Sequence, residues 1–334
     1  MNIVFVHLKE FPLYVKKNLK YTSETFSNRP IHLLIDKSIQ QKTKSFQTIR
    51  HIVNQANHEQ YLEKLTQSLR HNKRFRNEFW YLTIVRLLHF FDYVIQQNLR
   101  DALLVESDVI LLPNFPFEKF TTWNVQCAYP LATLDEGVAS VLYCKDADSA
   151  TKLKQKLLEY QDLNPMATDC SYLGFLNRTQ IGDFKIGILP TVPTGYFARE
   201  NHEQTVLEEN FQFFGGVFDA STLGLYFLGI DLRNTGGIPI LRKSQDHYPL
   251  KSVDFSLKSI SELGVVTLNC NDMVFPIFNF HLHTKYPAFF SSPIFGSELY
   301  RALTTTTFTF SKRFLFCRFL LATSHRMRVK LGKE

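Results

Sequence analysis

Residues 102–115 read ALLVESDVILLPNF. Leu103, Leu104 and Val105 form a short apolar run that leads into Glu106, Ser107 and Asp108, and Val109, Ile110, Leu111 and Leu112 follow. Strand side chains alternate with period two, so Glu106 and Asp108 point the same way at the end of a buried strand. Their neighbours are apolar, and a carboxylate in such surroundings is costly unless a cation or hydrogen-bond donors meet it. A divalent metal is the usual solution, and oxygen ligands suit Mg²⁺ or Mn²⁺. A strand end running into a loop with two solvated acids is the plain alternative, and the rest of the chain bears on the choice.

Upstream, residues 78–98 carry the strongest helical signal. Phe79, Trp80, Leu82, Ile84, Val85, Leu87, Leu88, Phe90, Phe91, Val94 and Ile95 leave a narrow polar stripe. Arg86, His89 and Tyr93 fall on it at i, i+3 and i+7. An unpaired buried guanidinium is very costly, so Arg86 requires an acidic or phosphate partner, and Glu106 is a candidate. The chain opens as strand, helix, strand: Ile3 to His7, helical spacing over 15–26, then PIHLLID over 30–36, ending on Asp36. Such a βαβ opening favours a parallel sheet with ligands at the carboxyl ends of its strands. No G-x-G-x-x-G follows the first strand, so the ordinary dinucleotide fingerprint is absent. Residues 37–75 are polar and read as exposed helices and a loop around a short strand at 48–53.

Downstream of the acid pair, 125–130 and 137–144 read as strands, 147–160 as an amphipathic helix, 165–175 as a turn and helix carrying Asp169, and 188–190 as a late strand. From Phe211 glycines and aromatics dominate, with Asp219 and Asp231 set among apolar neighbours. Residues 278–285, FNFHLHTK, alternate strictly, so on a strand His281, His283 and Lys285 share one face.

At 334 residues and 45% hydrophobic content the chain can bury a substantial core. No apolar run approaches the roughly 20 residues of a membrane span. The opening MNIVFVHLKEFPLYV reads as a first core strand and not as a secretory signal. Five scattered cysteines without CxxC spacing point to a reducing, cytoplasmic setting. The net charge of +7 is local: residues 301–334 hold eight of the 38 Lys and Arg and one of the 31 acids, leaving 30 of each elsewhere. A neutral body speaks against nucleic acid. The basic, Phe-rich tail suits peripheral contact with an anionic membrane at the inner face.

The order of these features (βαβ opening, buried helix with Arg86, strand ending in Glu106-Ser107-Asp108, late His-x-His-x-Lys) resembles the GT-A nucleotide-sugar glycosyltransferases. It is most similar to the glycogenin and lipopolysaccharide-galactosyltransferase type and related uncharacterised bacterial glycosyltransferase-like proteins. The resemblance covers residues 1 to about 290 by order and spacing. It implies an α/β fold with a Rossmann-like mixed sheet flanked by helices, a glycosyltransferase domain over 1–290 and a basic helical tail over 291–334. It also implies that Glu106 and Asp108, with His281 or His283, bind a Mn²⁺ or Mg²⁺ ion that bridges the diphosphate of a nucleotide-diphosphate sugar. Arg86 would face the nucleotide, Lys285 the diphosphate, and Asp169 the sugar. The chain departs from the pattern twice: Glu106 stands where Asp is commonest, and Lys285 follows His283 more closely than in the glycogenin type.

The residues add to this that base recognition falls to the early strand ends, with Asp36 and the backbone near His7. Asp169, Asp219 and Asp231 are equal candidates for activating or orienting an acceptor hydroxyl. Two readings follow. One is a hexosyltransferase-like enzyme of polysaccharide biosynthesis that transfers a sugar to a glycan or lipid-linked acceptor. The other is a non-catalytic protein of the same fold that binds a nucleotide or glycan.

Overall fold

The computed structural model describes residues 1–8, 10–36, 51–54, 58–71, 78–133, 135–179, 182–193, 202–228, 255–270 and 272–305. Asp231, the start of the strand expected at 48–53 and the tail beyond residue 305 lie outside the described residues.

The first half of the chain runs β1 (Asn2–His7), α1 (Leu13–Thr25), β2 (Ile31–Ile35), β3 (His51–Asn54), α2 (His58–Ser68), α3 (Phe79–Gln96), β4 (Ala102–Val105), β5 (Val109–Leu111) and α4 (Phe117–Thr122). Then come β6 (Cys127–Thr133), β7 (Glu136–Gly137), β8 (Val141–Cys144), α5 (Ala147–Leu163), α6 (Asp169–Arg178), β9 (Ile186–Leu189), α7 (His202–Phe214) and α8 (Thr222–Leu228). A meander of β10 (Phe255–Ile260), β11 (Val266–Cys270) and β12 (Met273–Pro276) leads to β13 (Asn279–His281), a 3-10 turn at Pro287–Phe289, and α9 (Glu298–Thr305).

The expected mixed α/β sheet flanked by helices is present. Its order is β3-β2-β1-β4-β8-β6-β7, with β9 beside β6. β3, β2, β1 and β4 are parallel, and β8 enters antiparallel to β4. Both faces are covered, which is why these strands read as unbroken apolar runs. Along β1, Val4 and Val6 enter a core with Tyr81, Leu88 and Phe91 of α3. Ile3 and Phe5 enter another with Val15 and Leu19 of α1 and Phe120 of α4. α2 is less exposed than its polar sequence suggests, because Leu65 is buried in the first of these cores.

The strand expected at 137–144 is two pieces, β7 and β8, separated by a turn at Ala139 and Ser140. A third core joins β5, β10–β13, α8 and α9. Phe290 and, on amphipathic α9, Leu299 and Leu303 are buried in it. No helix of the described residues is long and apolar enough to cross a membrane.

Candidate metal and diphosphate site

β1, β2 and β4 end side by side at their carboxyl ends, which brings His7, Asp36 and Glu106 to one edge of the sheet. β5 leaves this edge and pairs antiparallel with β13, placing His281 opposite Val109. The Leu282 N–H donates to the Asp108 carbonyl at 2.7 Å. This pairing closes the sequence gap between the acid pair and the late histidines.

The ligand atoms of Glu106, Asp108 and His281 lie within 4.8 Å of one another. His281 Nε2 is 3.4 Å from Glu106 Oε2 and 3.5 Å from Asp108 Oδ1. His281 Nδ1–H donates to the Ala220 carbonyl at 3.2 Å, which turns Nε2 toward the carboxylates. That is the orientation a metal-binding imidazole needs, with its other nitrogen held by a backbone acceptor. Two carboxylates and one imidazole form a donor set that could hold a divalent metal ion. The residues therefore fit a divalent ion of the kind that the resemblance implied.

Charges alternate outward from this cluster. Arg86 Nη2 bonds Glu106 Oε1 and reaches Asp169 Oδ2 at 2.9 Å. At the other end Lys285 Nζ sits 3.2 Å from Asp108 Oδ2 and 5.8 Å from the centre of the Tyr14 ring. Burial opposes charge on Arg86, but Glu106, Asp169 and Asp108 outweigh it and strengthen its hold on the proton. Burial would raise the Asp108 carboxyl, yet Lys285 and His281 hold it well below the usual carboxylate range. Burial likewise works against a charged His281, and Asp108 and Glu106 overcome it, raising His281 to about 9. Beside it, burial and the His281 charge push His283 down to about 3.

Arg86 has the acidic partner its burial demanded, and Asp169 joins Glu106 in supplying it. Asp169 is placed by α6. Thr168 caps the helix by accepting from the Ser171 N–H at 3.0 Å, and the Ser171 hydroxyl lies 2.9 Å from the Thr168 nitrogen and accepts from it. Asp169 Oδ1 and Arg86 Nε are buried without a hydrogen-bond partner among the described residues. At the sheet edge, Ser107 Oγ lies 2.8 Å from His7 Nδ1, and burial pushes His7 down to about 4. Asp36 is buried at the end of β2, with β1 between it and β4.

Three expectations change. Glu106 and Asp108 are not on one strand: β4 stops at Val105, and the acid pair sits in the turn before β5, where the Val109 N–H donates to the Glu106 carbonyl at 2.9 Å. The 278–285 stretch is not a continuous strand: β13 stops at His281, and Lys285 turns back with φ +53°, its N–H donating to the Leu282 carbonyl at 3.0 Å. Lys285 therefore arrives through a turn instead of by strand alternation. His283 stands apart from the three-residue cluster. Its ring stacks on His281 at 4.3 Å, and Nε2–H donates to the Ser221 carbonyl at 2.8 Å. Asp219 is 1% exposed, and its carboxylate accepts the N–H groups of Leu223, Gly224 and His281. Sequence reasoning also missed Ala220 and Ser221, whose contribution is a backbone carbonyl and so leaves no trace in residue type.

No family model matches the chain, and no curated protein matches it. Among solved structures the chain is similar to galactosyltransferase LgtC in complex with donor and acceptor sugar analogues, at 12% identity and TM-score 0.42, over 63% of this chain and 83% of that one. It is also similar to mouse xyloside xylosyltransferase 1 in its apo form, at 7% identity and TM-score 0.38, over 58% of this chain and 87% of that one. A third likeness is to apo-form glycosyltransferase GlyE of Streptococcus pneumoniae TIGR4, at 15% identity and TM-score 0.37, over 55% of this chain and 44% of that one.

Proposed function

We propose that the chain is a metal-dependent glycosyltransferase of the GT-A kind, moving a sugar from a nucleotide-diphosphate donor to a glycan, lipid-linked glycan or other acceptor. The observation that carries this reading is the convergence of Glu106, Asp108 and His281 at the carboxyl edge of the sheet, flanked by Arg86 and Lys285. In such a reaction the nucleoside diphosphate departs, and negative charge grows on the leaving oxygen. A divalent ion held by Glu106, Asp108 and His281 would supply Lewis-acid stabilisation of that charge.

The chain's own residues complete the site. Lys285 holds Asp108 from its outer side and carries a flexible point charge suited to a phosphate oxygen. Glu106 has one oxygen on Arg86 and the other toward His281, a division between two partners that suits its extra methylene. Arg86, held by Glu106 and Asp169, is the cation on the opposite side of the acid pair from Lys285 and the second candidate contact for the donor. His7 and Asp36, along the same edge, are then the nucleoside side of the site.

The test is a donor-hydrolysis screen with UDP-, GDP- and CMP-sugars, with and without Mn²⁺. Mn²⁺-dependent release of sugar from one donor supports the enzyme. Donor binding without turnover favours a non-catalytic binding protein. Equal hydrolysis with Mn²⁺ and with excess chelator contradicts the metal-dependent reading.

A further inference from the structure

Asp219 organises the residue that faces the acid pair. Its Oδ1 accepts from the Leu223 N–H at 2.9 Å. Its Oδ2 accepts from Gly224 at 2.7 Å and from the His281 N–H at 2.8 Å. The next two carbonyls continue the pattern: Ala220 takes the His281 Nδ1–H, and Ser221 takes the His283 Nε2–H. The Asp219 peptide is itself held at both ends by the Asn279 side chain, at 3.1 and 3.0 Å. The Ser140 hydroxyl donates to the Asp219 carbonyl at 3.0 Å, while the Ser140 carbonyl accepts the Glu106 N–H at 3.1 Å. One serine thus ties the backbone of a carboxylate arm to the loop that holds the imidazole arm. The approach of α8 is close as well: a Cβ on Gly224 would lie 2.1 Å from the His281 carbonyl oxygen.

We propose that Asp219, with the Ala220 carbonyl, is a positioning clamp that fixes the backbone, ring orientation and tautomer of His281, that the Ser221 carbonyl holds the His283 ring stacked beside it, and that Ser140 sets the distance of His281 from Glu106. An imidazole presents either nitrogen, and the acceptor that engages one of them decides which nitrogen faces the ligand. Because Asp219 is anchored by α8 and β13 together, the clamp defines the His281 ring before any ion arrives. This inference rests on the metal reading of Glu106, Asp108 and His281.

The test is Mn²⁺ binding to the full chain, read from the electron paramagnetic resonance signal of free Mn²⁺, with folding followed by circular dichroism. Asp219→Asn keeps the side-chain shape but sets an amide donor against backbone N–H groups that need an acceptor. The expected result is a native circular dichroism spectrum with Mn²⁺ affinity weakened about 10- to 100-fold, the usual cost of losing a group that orients a metal ligand. A merely structural Asp219 would lower stability and leave the Mn²⁺ affinity of the folded protein unchanged, and that result overturns the proposal. If Asp219→Asn does not fold, Ser140→Ala decides: weaker Mn²⁺ binding by the folded variant supports the clamp, and wild-type affinity overturns it. Failure of the wild-type chain to take up Mn²⁺ at all overturns the metal reading and the clamp with it. Normal uptake by wild type and variants alike overturns the clamp alone.

Discussion

Arg86 meets two carboxylates through one nitrogen, Nη2, while its Nε stays buried and unmatched among the described residues. A lysine ammonium could meet both carboxylates from one nitrogen, but it has no counterpart to the other guanidinium nitrogens, Nη1 and Nε. Arg86→Lys should therefore keep the fold but weaken donor binding by about 10- to 100-fold, the equivalent of a charged hydrogen bond worth about 1.5–3 kcal/mol. The donor dependence of hydrolysis measures this, and an unchanged KM would count against Arg86 as a donor contact. At this scale the sequence was legible where burial forced a conclusion. Two acids between apolar strand residues, in the turn that joins β4 to β5, and one cation in an apolar helix each needed a partner, and they found each other. Asp219 was not legible. Nothing in its flanking residues says that its oxygens face three backbone N–H groups instead of a substrate; that depends on where α8 and β13 meet.

α6 shows how an element delivers one side chain. The Thr168 cap fixes its start, and Tyr129 and Tyr172 anchor it through hydroxyls that donate to the Leu173 and Leu153 carbonyls. Gly174 allows the close approach to the turn before β7, since a Cβ there would lie 1.8 Å from the Asp135 carbonyl oxygen. Backbone cannot yield as a flexible side chain can. Gly174→Ala should lose about 1–3 kcal/mol of stability, as overpacking does, and should weaken donor binding by shifting Asp169. Urea unfolding measures the first effect, and a midpoint equal to that of the wild type would contradict the packing described. Long apolar elements such as β1, β4 and α3 were readable because both faces are buried. The β10–β12 meander was not assigned from sequence: β11 alternates buried Val266, Leu268 and Cys270 with half-buried residues, but in β10 the alternation of Phe255 and Leu257 with exposed Ser256 and Lys258 is broken by the register shift between Leu257 and Ser259. The turn after His281 escaped for a different reason. FNFHLHTK has perfect strand alternation, and the chain leaves the strand because β13 has partners on β5 over three residues.

For the whole molecule, the site is an assembly of distant parts of the chain. The parallel half of the sheet supplies Arg86's partner Glu106 and the edge residues His7 and Asp36. The late β13 segment supplies His281 and Lys285, and the β5–β13 pairing locks the two together. Removing a single carboxylate at that junction should cancel the ion site and leave the β5–β13 pairing, which Asp108 joins through its backbone carbonyl. The most direct measurement is calorimetric titration of the hydrolysed nucleotide sugar into the wild-type chain and into Asp108→Ala, each with Mn²⁺ present. The account predicts binding by the wild type that chelator abolishes, and none by a folded Asp108→Ala. Equal affinity in the two proteins would contradict it.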